Sequence, residues 1–548
     1  MELAISVLLG ICCNLSYSYL KYGGFTPSVF MVIGSLILAA LFYFCFFISK
    51  KFLSHKNYIK ISKIVELIFN KNYNNKKQLI IIFAIIFLCW LPYLLLMYPG
   101  NLSNDTTGQI SMFFSRIQND GIYPMTDHHP IFTSFVFGGI IYVFNLMTNN
   151  MHCAIFALCL IQLTITAAVF AYMFFVCYSR WKCPKWFCYI LLFCIALIPI
   201  FPIIVSSVSK DTFFSWIYIL FLVTFIDLIF SNFKKLNSPK IFINLIAFSI
   251  LLCLTKKIGV YLVIPTFFIT ALFCNQKIYT KIKILLPGIL CAFIMFLIMP
   301  QFLSFASITA GSQAEMLSIP FQQTARTFLY HQNELPENEK QIIDEFLNTD
   351  TLADRYNPIF ADSVKNEAIV DNGLSPYIKV WITEGLRYPK TYISAWIHHI
   401  SPLFQFDSVT PIFNSLHHDW VRGYFVDSVF EKNDFFTNNS KSIQEFYKWF
   451  CTMPIFNIVL SGFIYVIFIP SLFLVILLTR KNKRSLLCFI PVALSFMALL
   501  VSPIVQYSSF ETMRYIIPFI YTAPLLLMAS QKCHKTEQSV LKKRNKGV

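Results

Sequence analysis

One carboxylate, Asp105, stands where acid–base chemistry is plausible. It lies in the irregular stretch N-L-S-N-D-T-T-G-Q at 101–109, just after an apolar segment, with Asn104 and Gln109 as polar neighbours. A carboxylate in such a place can take the proton of a substrate hydroxyl if partial loss of water raises its pKa toward neutrality. The alternative is structural, because Asn104 or Asp105 can instead cap the short helix that the pattern predicts here.

Asp127, His128, His129 and Pro130 form the densest titratable cluster in the same connecting segment. Imidazoles can bind phosphate, hold a metal with carboxylate help, or orient a base. Two adjacent histidines cannot point the same way from a helix, which weakens the hypothesis that both bind one metal ion. Binding of phosphate or of an acceptor, and simple capping of the next helix, both stay open. No cofactor is firmly implied, and a divalent metal is possible.

Further cationic side chains stand at turns beside apolar segments, where they can bind an anionic ligand. Arginine offers a two-pronged donor to phosphate, and glutamine can read sugar hydroxyls. The positions are Lys210 with Asp211, Lys256, Lys257, Arg514, and the group Gln322, Gln323 and Arg326 in I-P-F-Q-Q-T-A-R at 319–326.

Each of these positions also has a structural interpretation. Lys210 and Asp211 can pair with each other, and Arg514 can pair with Glu511 three residues away on one helical face. The 319–326 stretch can be an ordinary helix. The pair at 256–257 can extend to the membrane surface. However, outer loops are expected to contain few lysines, so two lysines in this turn favour an anionic ligand such as a lipid phosphate.

The elements that must position these residues are membrane helices. The chain has 57% hydrophobic and 13% charged residues, far from a soluble composition. Twelve apolar stretches are long enough to cross a bilayer, since a span takes about 20 helical residues. They lie near 3–20, 27–49, 79–97, 153–178, 186–205, 212–230, 241–255, 258–274, 284–301, 453–479, 485–504 and 514–531.

The basic residues fall in alternate gaps between these stretches. Six gaps hold 27 of the 44 Lys and Arg residues. Short basic loops stay in the cytoplasm, so both termini are predicted to be cytoplasmic and the intervening loops extracytoplasmic. The net charge of +17 is thus a membrane signature and does not indicate nucleic-acid binding. An apolar stretch at 131–148 would reverse this alternation if it crossed, and is predicted to lie at the outer surface.

These patterns predict an all-α polytopic membrane protein with about 12 transmembrane helices and a mainly helical extracytoplasmic domain. That domain has predicted helices near 313–331, 337–348 and 377–400. Cysteine is absent between Cys291 and Cys451, so a disulfide framework there is excluded. No internal repeat is predicted. The predicted divisions are 1–97, the first loop 98–152, the bundle 153–301, the extracytoplasmic domain 302–451, the closing spans 452–531 and a basic tail 532–548.

This layout resembles the GT-C superfamily of membrane glycosyltransferases. The early-loop Asp, the D-H-H-P at 127–130, the S-K-D at 209–211 and the large domain before the closing spans carry the resemblance. Together with Y-P-G-N-L-S-N-D-T-T-G-Q at 98–109 and R-Y-I-I-P at 514–518, they also look like a bacterial family of polytopic proteins to which no activity is assigned.

In GT-C enzymes the first-loop Asp acts as the base or orients the acceptor, so the resemblance implies that Asp105 is the candidate base. The resemblance to the bacterial family implies a bacterial cell membrane. The implied donor is a polyprenyl-phosphate sugar and the acceptor a cell-envelope glycan. The implied phosphate contacts are Lys210, Lys256, Lys257, Arg326 and Arg514. Many GT-C enzymes have a second acidic residue beside this Asp, but Thr106 stands here, which weakens the case for a bound divalent metal ion. The rival hypotheses are a transporter or flippase of a lipid-linked glycan, and a receptor or scaffold.

Overall fold

The protein is an all-α membrane protein in its computed structural model, which describes residues 1–54, 68–69, 75–119, 121–370, 373–406, 434–480, 483–503 and 513–544. Within these residues, eight helices are long and apolar enough to cross a membrane, and four further apolar helices are 10–17 residues long. The prediction of a polytopic membrane protein is therefore confirmed, while the count of twelve spans stays a prediction.

The first half of the chain supplies most of the helical bundle. Its helices are α1 (Glu2–Tyr22), α2 (Val29–Ser54), α3 (Asn75–Leu96), α4 (Asn104–Gln118), α5 (Ile131–Thr148), α6 (Met151–Ser179), α7 (Lys185–Leu197), α8 (Ile200–Val205), α9 (Lys210–Phe230), α10 (Pro239–Thr255), α11 (Ile258–Phe273), α12 (Ile278–Phe293) and α13 (Met299–Phe305). A π-helical segment, Ile294–Ile298, joins the last two. The strands β1 (Asn101–Leu102) and β2 (Ser207–Val208) pair in parallel.

A helical domain follows and packs around its own small apolar core, centred on Phe321, Ile343 and Tyr377. Its helices are α14 (Ser318–His331), α15 (Glu337–Leu347), α16 (Thr349–Arg355), α17 (Asp362–Lys365), α18 (Ser375–Arg387) and α19 (Pro389–Ile400). The single helix predicted near 377–400 is wrong. It is two helices, because Pro389 cannot continue the hydrogen bonding of α18 and begins a new helix instead.

The remaining helices close the bundle. They are α20 (Asp434–Thr452), α21 (Pro454–Leu460), α22 (Ile469–Leu478), α23 (Ile490–Leu499) and α24 (Ile517–Arg544). The predicted spans at 453–479 and 485–504 are not continuous α-helices. The first is interrupted near Ser461 and contains a π-helical segment, Ile464–Phe468, and the second begins as a 3₁₀ segment, Lys483–Phe489.

Contacts gather the basic turns at one end of the bundle, the basic end. Asp227, near the end of α9, lies 3.2 Å from Arg180 and 2.5 Å from Lys235 in its ion pairs. Asn232 accepts hydrogen bonds from Gln276 and Arg484. Four gaps that the charge pattern assigns to one side of the membrane therefore meet here.

The predicted turns of the other side meet at the opposite end, the Asp105 end. This end holds the first residues of α4 and α9, the 127–130 segment, and the turn between α10 and α11. The helix α5 is a candidate span by length and composition. However, His129 just before it contacts Lys210, and Cys153 just after it contacts Tyr98 at 3.7 Å. Both flanks of α5 thus contact the Asp105 end, which favours a helix that does not cross.

Candidate functional site

Asp105 lies at the centre of a cationic cluster at the Asp105 end. Its Oδ2 atom is 2.7 Å from Lys210 Nζ, 2.5 Å from Arg514 Nη1 and 3.9 Å from His129 Nδ1. These residues come from α4, the start of α9, the 127–130 segment and the 3₁₀ turn before α24. Three other chain segments therefore converge on one carboxylate oxygen of α4.

The charges around Asp105 set its protonation state. Burial alone would raise the pKa of its carboxyl, but the charges of Lys210 and Arg514 hold that pKa well below its usual range. The condition for a role as base, a pKa raised toward neutrality, is therefore not met in this arrangement. Two cations at ion-pairing distance outweigh the loss of water. Asp105 is ionised here and is a weak base.

His129 is neutral in the same cluster. Burial, and then Lys210, lower the pKa of His129 to about 3. Lys210 Nζ lies 2.8 Å from His129 Nδ1, so the lysine donates and the imidazole nitrogen accepts. The proton of the neutral ring then resides on Nε2. Burial likewise lowers the pKa of the neighbouring His128, whose Nδ1 is 3.9 Å from Glu315 Oε1.

A repeated local structure presents Asp105 and Lys210 to each other. Ser103 caps α4 and Ser209 caps α9, each accepting a hydrogen bond from a threonine amide three residues later. Each serine hydroxyl also forms a hydrogen bond with that threonine's hydroxyl, at 2.9 Å for Thr106 and 3.0 Å for Thr212. Neither Asn104 nor Asp105 is the cap, so that structural interpretation is wrong.

The short parallel strands bring the two capped helices side by side. Their register pairs Asn101 with Ser207 and Leu102 with Val208, directly before the two serines. The sequences S-N-D-T at 103–106 and S-K-D-T at 209–212 are a local repeat that the sequence analysis missed. Two strand–serine cap–helix units start in parallel, and the positive ends of both helix dipoles face the same region.

The second aspartate of this repeat, Asp211, belongs to a buried ion pair. It is 1% exposed, and its Oδ1 pairs with Lys256 Nζ. Lys256 also lies over the ring of Tyr515, 5.0 Å from its centroid. Lys210 and Asp211 therefore do not pair with each other, as one interpretation had it. Lys256 is paired instead with Asp211, the residue that follows Lys210 of the Asp105 cluster.

The other lysine of the same turn, Lys257, lies at the rim of an apolar groove. Its Nζ is 3.0 Å from Asp127 Oδ2, and its side chain is 52% exposed. A cavity of about 220 Å³ lies beneath this pair, between α5, α10, α11 and the segment around α13. Its lining is Asp127, Pro130, Ile131, Phe132, Cys253, Leu254, Lys257, Val260, Tyr261, Met295, Phe296, Met299, Pro300 and Leu303.

The chain after α13 holds the 127–130 segment in place. Asp127 donates its amide hydrogen to the Thr309 carbonyl at 2.8 Å. Gly311 lies so close to this segment that an added Cβ would be 2.9 Å from both the Asp127 oxygen and the His128 Cα. Only glycine fits at that position without displacement of the histidines.

Several predicted site residues are placed elsewhere or bind other parts of the protein. Gln109 donates to Thr133 Oγ1 at 2.5 Å, which fastens α4 to α5. The side chain of Asn104 and all of Glu511 lie outside the described residues. Arg514 is paired with Asp105.

The glutamines and arginine of α14 stay within the helical domain and its contact with α1. Gln322 donates to the Asn357 carbonyl at 2.7 Å, and Gln323 to the Tyr392 carbonyl at 3.3 Å. Arg326 donates to the Gly23 carbonyl at 3.1 Å. These hydrogen bonds hold α14 against its neighbours, and none of them is to the Asp105 cluster. The role of the three residues in binding a substrate stays a prediction.

The cluster does not fit a divalent metal ion. Among the residues that the structure describes, no group of three or more His, Cys, Asp or Glu side chains could hold one. The physical reason is local: Lys210 and Arg514 already occupy the Asp105 oxygen that would be a ligand. What the arrangement can do is bind an anion with Lys210 and Arg514, beside a carboxylate and a neutral imidazole.

Comparison with known proteins gives one match. No curated protein and no solved structure matches the chain. The model of a family of unknown function, DUF6020, matches residues 49–545. This range includes the Asp105 cluster, the apolar groove and the helical domain. The chain belongs to the DUF6020 family.

Proposed function

We propose that this protein is a membrane glycosyltransferase of GT-C-like architecture that moves a sugar from a polyprenyl-phosphate donor to an extracytoplasmic cell-envelope glycan. The observation that carries the proposal is the convergence of Lys210 and Arg514 on Asp105 at one end of a membrane bundle. Phosphate-binding cations beside a carboxylate are what transfer from a lipid phosphate to a hydroxyl requires.

The orientation follows from charge. The basic turns gather at the opposite end, and the positive-inside rule places that end in the cytoplasm of a bacterial cell. The Asp105 end, with the helical domain beside it, is then extracytoplasmic. Twelve spans would put both termini in the cytoplasm. A lipid-linked donor suits such a site, because no nucleotide sugar is available there.

The groove beneath Lys257 and Asp127 is suited to the donor's lipid. Its walls are mainly apolar and include part of the π-helical segment Ile294–Ile298. They also include Asp127 and Pro130, the residues on either side of His128 and His129 in the chain. A prenyl chain in this groove would end near the Asp127–Lys257 pair. Its phosphate would then be within reach of the cationic cluster.

The reaction is an inverting displacement with a simple balance. The acceptor oxygen forms a bond to the sugar C1 while the bond from C1 to the phosphate oxygen breaks. The acceptor's proton passes to Asp105, and polyprenyl phosphate leaves with its added negative charge stabilised by Lys210 and Arg514. His129 holds the Lys210 ammonium in position from its other side.

Mass spectrometry of envelope glycans and lipid-linked sugars tests this function. Cells would carry wild-type protein or the Asp105→Asn variant at equal membrane abundance. Asp354→Asn is the matched control, because Asp354 is exposed on α16 in the helical domain. We expect Asp105→Asn alone to lose one sugar substituent and to accumulate the polyprenyl-phosphate sugar. An unchanged glycan profile would refute a catalytic Asp105 and favour a transporter or flippase of a lipid-linked glycan.

A further inference from the structure

The cluster around Asp105 is an occupied anion site. The side chains of Lys210 and Arg514 are only 14% and 12% exposed, and both point at the same carboxylate oxygen. Asp105 itself is 17% exposed. Within the part of the chain that the structure describes, its Oδ1 atom makes no hydrogen bond or ion pair. One oxygen of Asp105 thus forms ion pairs with two largely buried cations, while the other forms none with the residues that the structure describes.

We propose that Asp105 is a placeholder anion: its Oδ2 occupies the position of a phosphate-ester oxygen, and ligand binding transfers Lys210 and Arg514 from the carboxylate to the phosphate. The nature of the ligand, a phosphate ester, rests on the proposed function. The exchange itself rests on the contacts of Asp105.

The net charge of the cluster before and after the reaction supports this exchange. Lys210 and Arg514 carry +2 and Asp105 carries −1, while His129 is neutral. A sugar–phosphate–lipid diester adds about −1, which brings the cluster to neutrality. After transfer, Asp105 holds the acceptor's proton and the leaving phosphate monoester carries up to about −2. The cluster is again neutral, so no uncompensated charge forms in a partly buried place.

The exchange would also make Asp105 a stronger base once the donor is bound. The charged and titratable groups around it are Lys210 from α9, His128 and His129 from the 127–130 segment, and Arg514 with Tyr515 from the 3₁₀ turn before α24. Asp211 acts on the neighbouring Lys210. Lys210 and Arg514 are the cations that oppose the effect of burial on the pKa of Asp105. When the phosphate takes them, burial remains and the pKa of Asp105 rises. Proton abstraction then follows donor binding.

Binding measurements on the intact protein can separate this exchange from ordinary charge attraction. Purified full-length protein in nanodiscs of zwitterionic lipid would be titrated with polyprenyl phosphate, with the uncharged polyprenol and with inorganic phosphate. We expect Asp105→Asn to bind polyprenyl phosphate about tenfold more tightly than wild type, which corresponds to about 1.4 kcal/mol. Polyprenol binding should not change. A gain for inorganic phosphate that matches the gain for the lipid would identify free phosphate as sufficient.

Two further variants make the result specific. Glu339→Gln is the matched control, because it frees Arg387 from a bidentate ion pair in the helical domain without freeing a second cation. It should bind as wild type does. Adding Lys210→Met to Asp105→Asn should return the affinity to the wild-type value or below. This double variant also shows whether the gain depends on the cation that Asp105 releases.

Either no gain in affinity for Asp105→Asn, or the same gain for Glu339→Gln, would overturn the placeholder. The proposed function fails separately. If Asp105→Asn abolishes sugar transfer without binding polyprenyl phosphate more tightly, the transferase stands and the exchange is wrong. If phosphate binds more tightly but no sugar is transferred by the wild type, the exchange stands and the transferase is wrong.

Discussion

Replacement of Glu384 by glutamine should stabilise the helical domain at neutral and alkaline pH. Glu384 is fully buried on α18, its Oε2 accepts a hydrogen bond from Tyr392 at 3.1 Å, and its Oε1 has no partner within the described residues. Burial, with a smaller contribution from the charge of Glu339, raises the pKa of Glu384 from 4.5 to about 7, against the hydrogen bond from Tyr392 and the charge of Arg387. The buried group therefore prefers to be protonated.

The sign and the magnitude follow from linkage. The folded domain holds a proton on Glu384 at pH values where the unfolded chain has released it, so stability falls as pH rises from about 4.5 to about 7. A difference of this size is worth about 3 kcal/mol, at 1.36 kcal/mol for each pKa unit. Glu384→Gln removes the titration. The variant should match wild type near pH 4.5 and exceed it by up to about 3 kcal/mol above pH 7.

Hydrogen exchange of peptides covering 375–400 measures this local stability after correction for the intrinsic effect of pH on exchange. The control is Glu337→Gln, since Glu337 is 88% exposed on α15. It should leave the pH dependence unchanged. Equal protection of wild type and Glu384→Gln at pH 8, or a wild-type domain whose protection increases with pH, would refute the reasoning.

The remaining predictions concern the supports of the Asp105 cluster. Lys256→Met should destabilise the protein by about 3–5 kcal/mol, because it leaves the Asp211 carboxylate buried without its cation. The added change Asp211→Asn should recover most of that loss in thermal unfolding, and no recovery would contradict the pairing. Gly311→Ala should lower sugar transfer between about tenfold and a hundredfold by displacing the 127–130 segment. Gly139→Ala, at a helical position with open space, should retain wild-type transfer rates, and equal rates for both variants would contradict the role of Gly311.

The sequence predicted the components of the site better than their roles. Asp105, His129, Lys210 and Arg514 stand out because charges beside apolar segments need a reason, and the structure brings these four together. The shift in the pKa of Asp105 is opposite to the one that its role as a base requires. Its sign depends on cations contributed by residues more than a hundred positions away, which no local pattern reveals.

Three further predicted binding residues lie in the helical domain. Gln322, Gln323 and Arg326 have the chemistry of a sugar-phosphate site, but they serve α14 and its neighbours. A polar side chain on a helix faces either a ligand or another helix, and its type does not distinguish the two. The direction of α14 relative to α1 decides it.

The amino-acid sequence by itself determined the membrane helices and the separation of charge between the two ends of the bundle. Both follow from composition and from order along the chain, because a bilayer excludes charge and needs about 20 apolar residues per span. Only the tertiary structure decided which charges meet. The parallel pairing of β1 with β2 sets the start of α4 against the start of α9, so Lys210 bonds to Asp105 while its neighbour Asp211 binds Lys256. Electrostatic interactions depend on distance in space, and that distance is fixed by packing rather than by order in the chain.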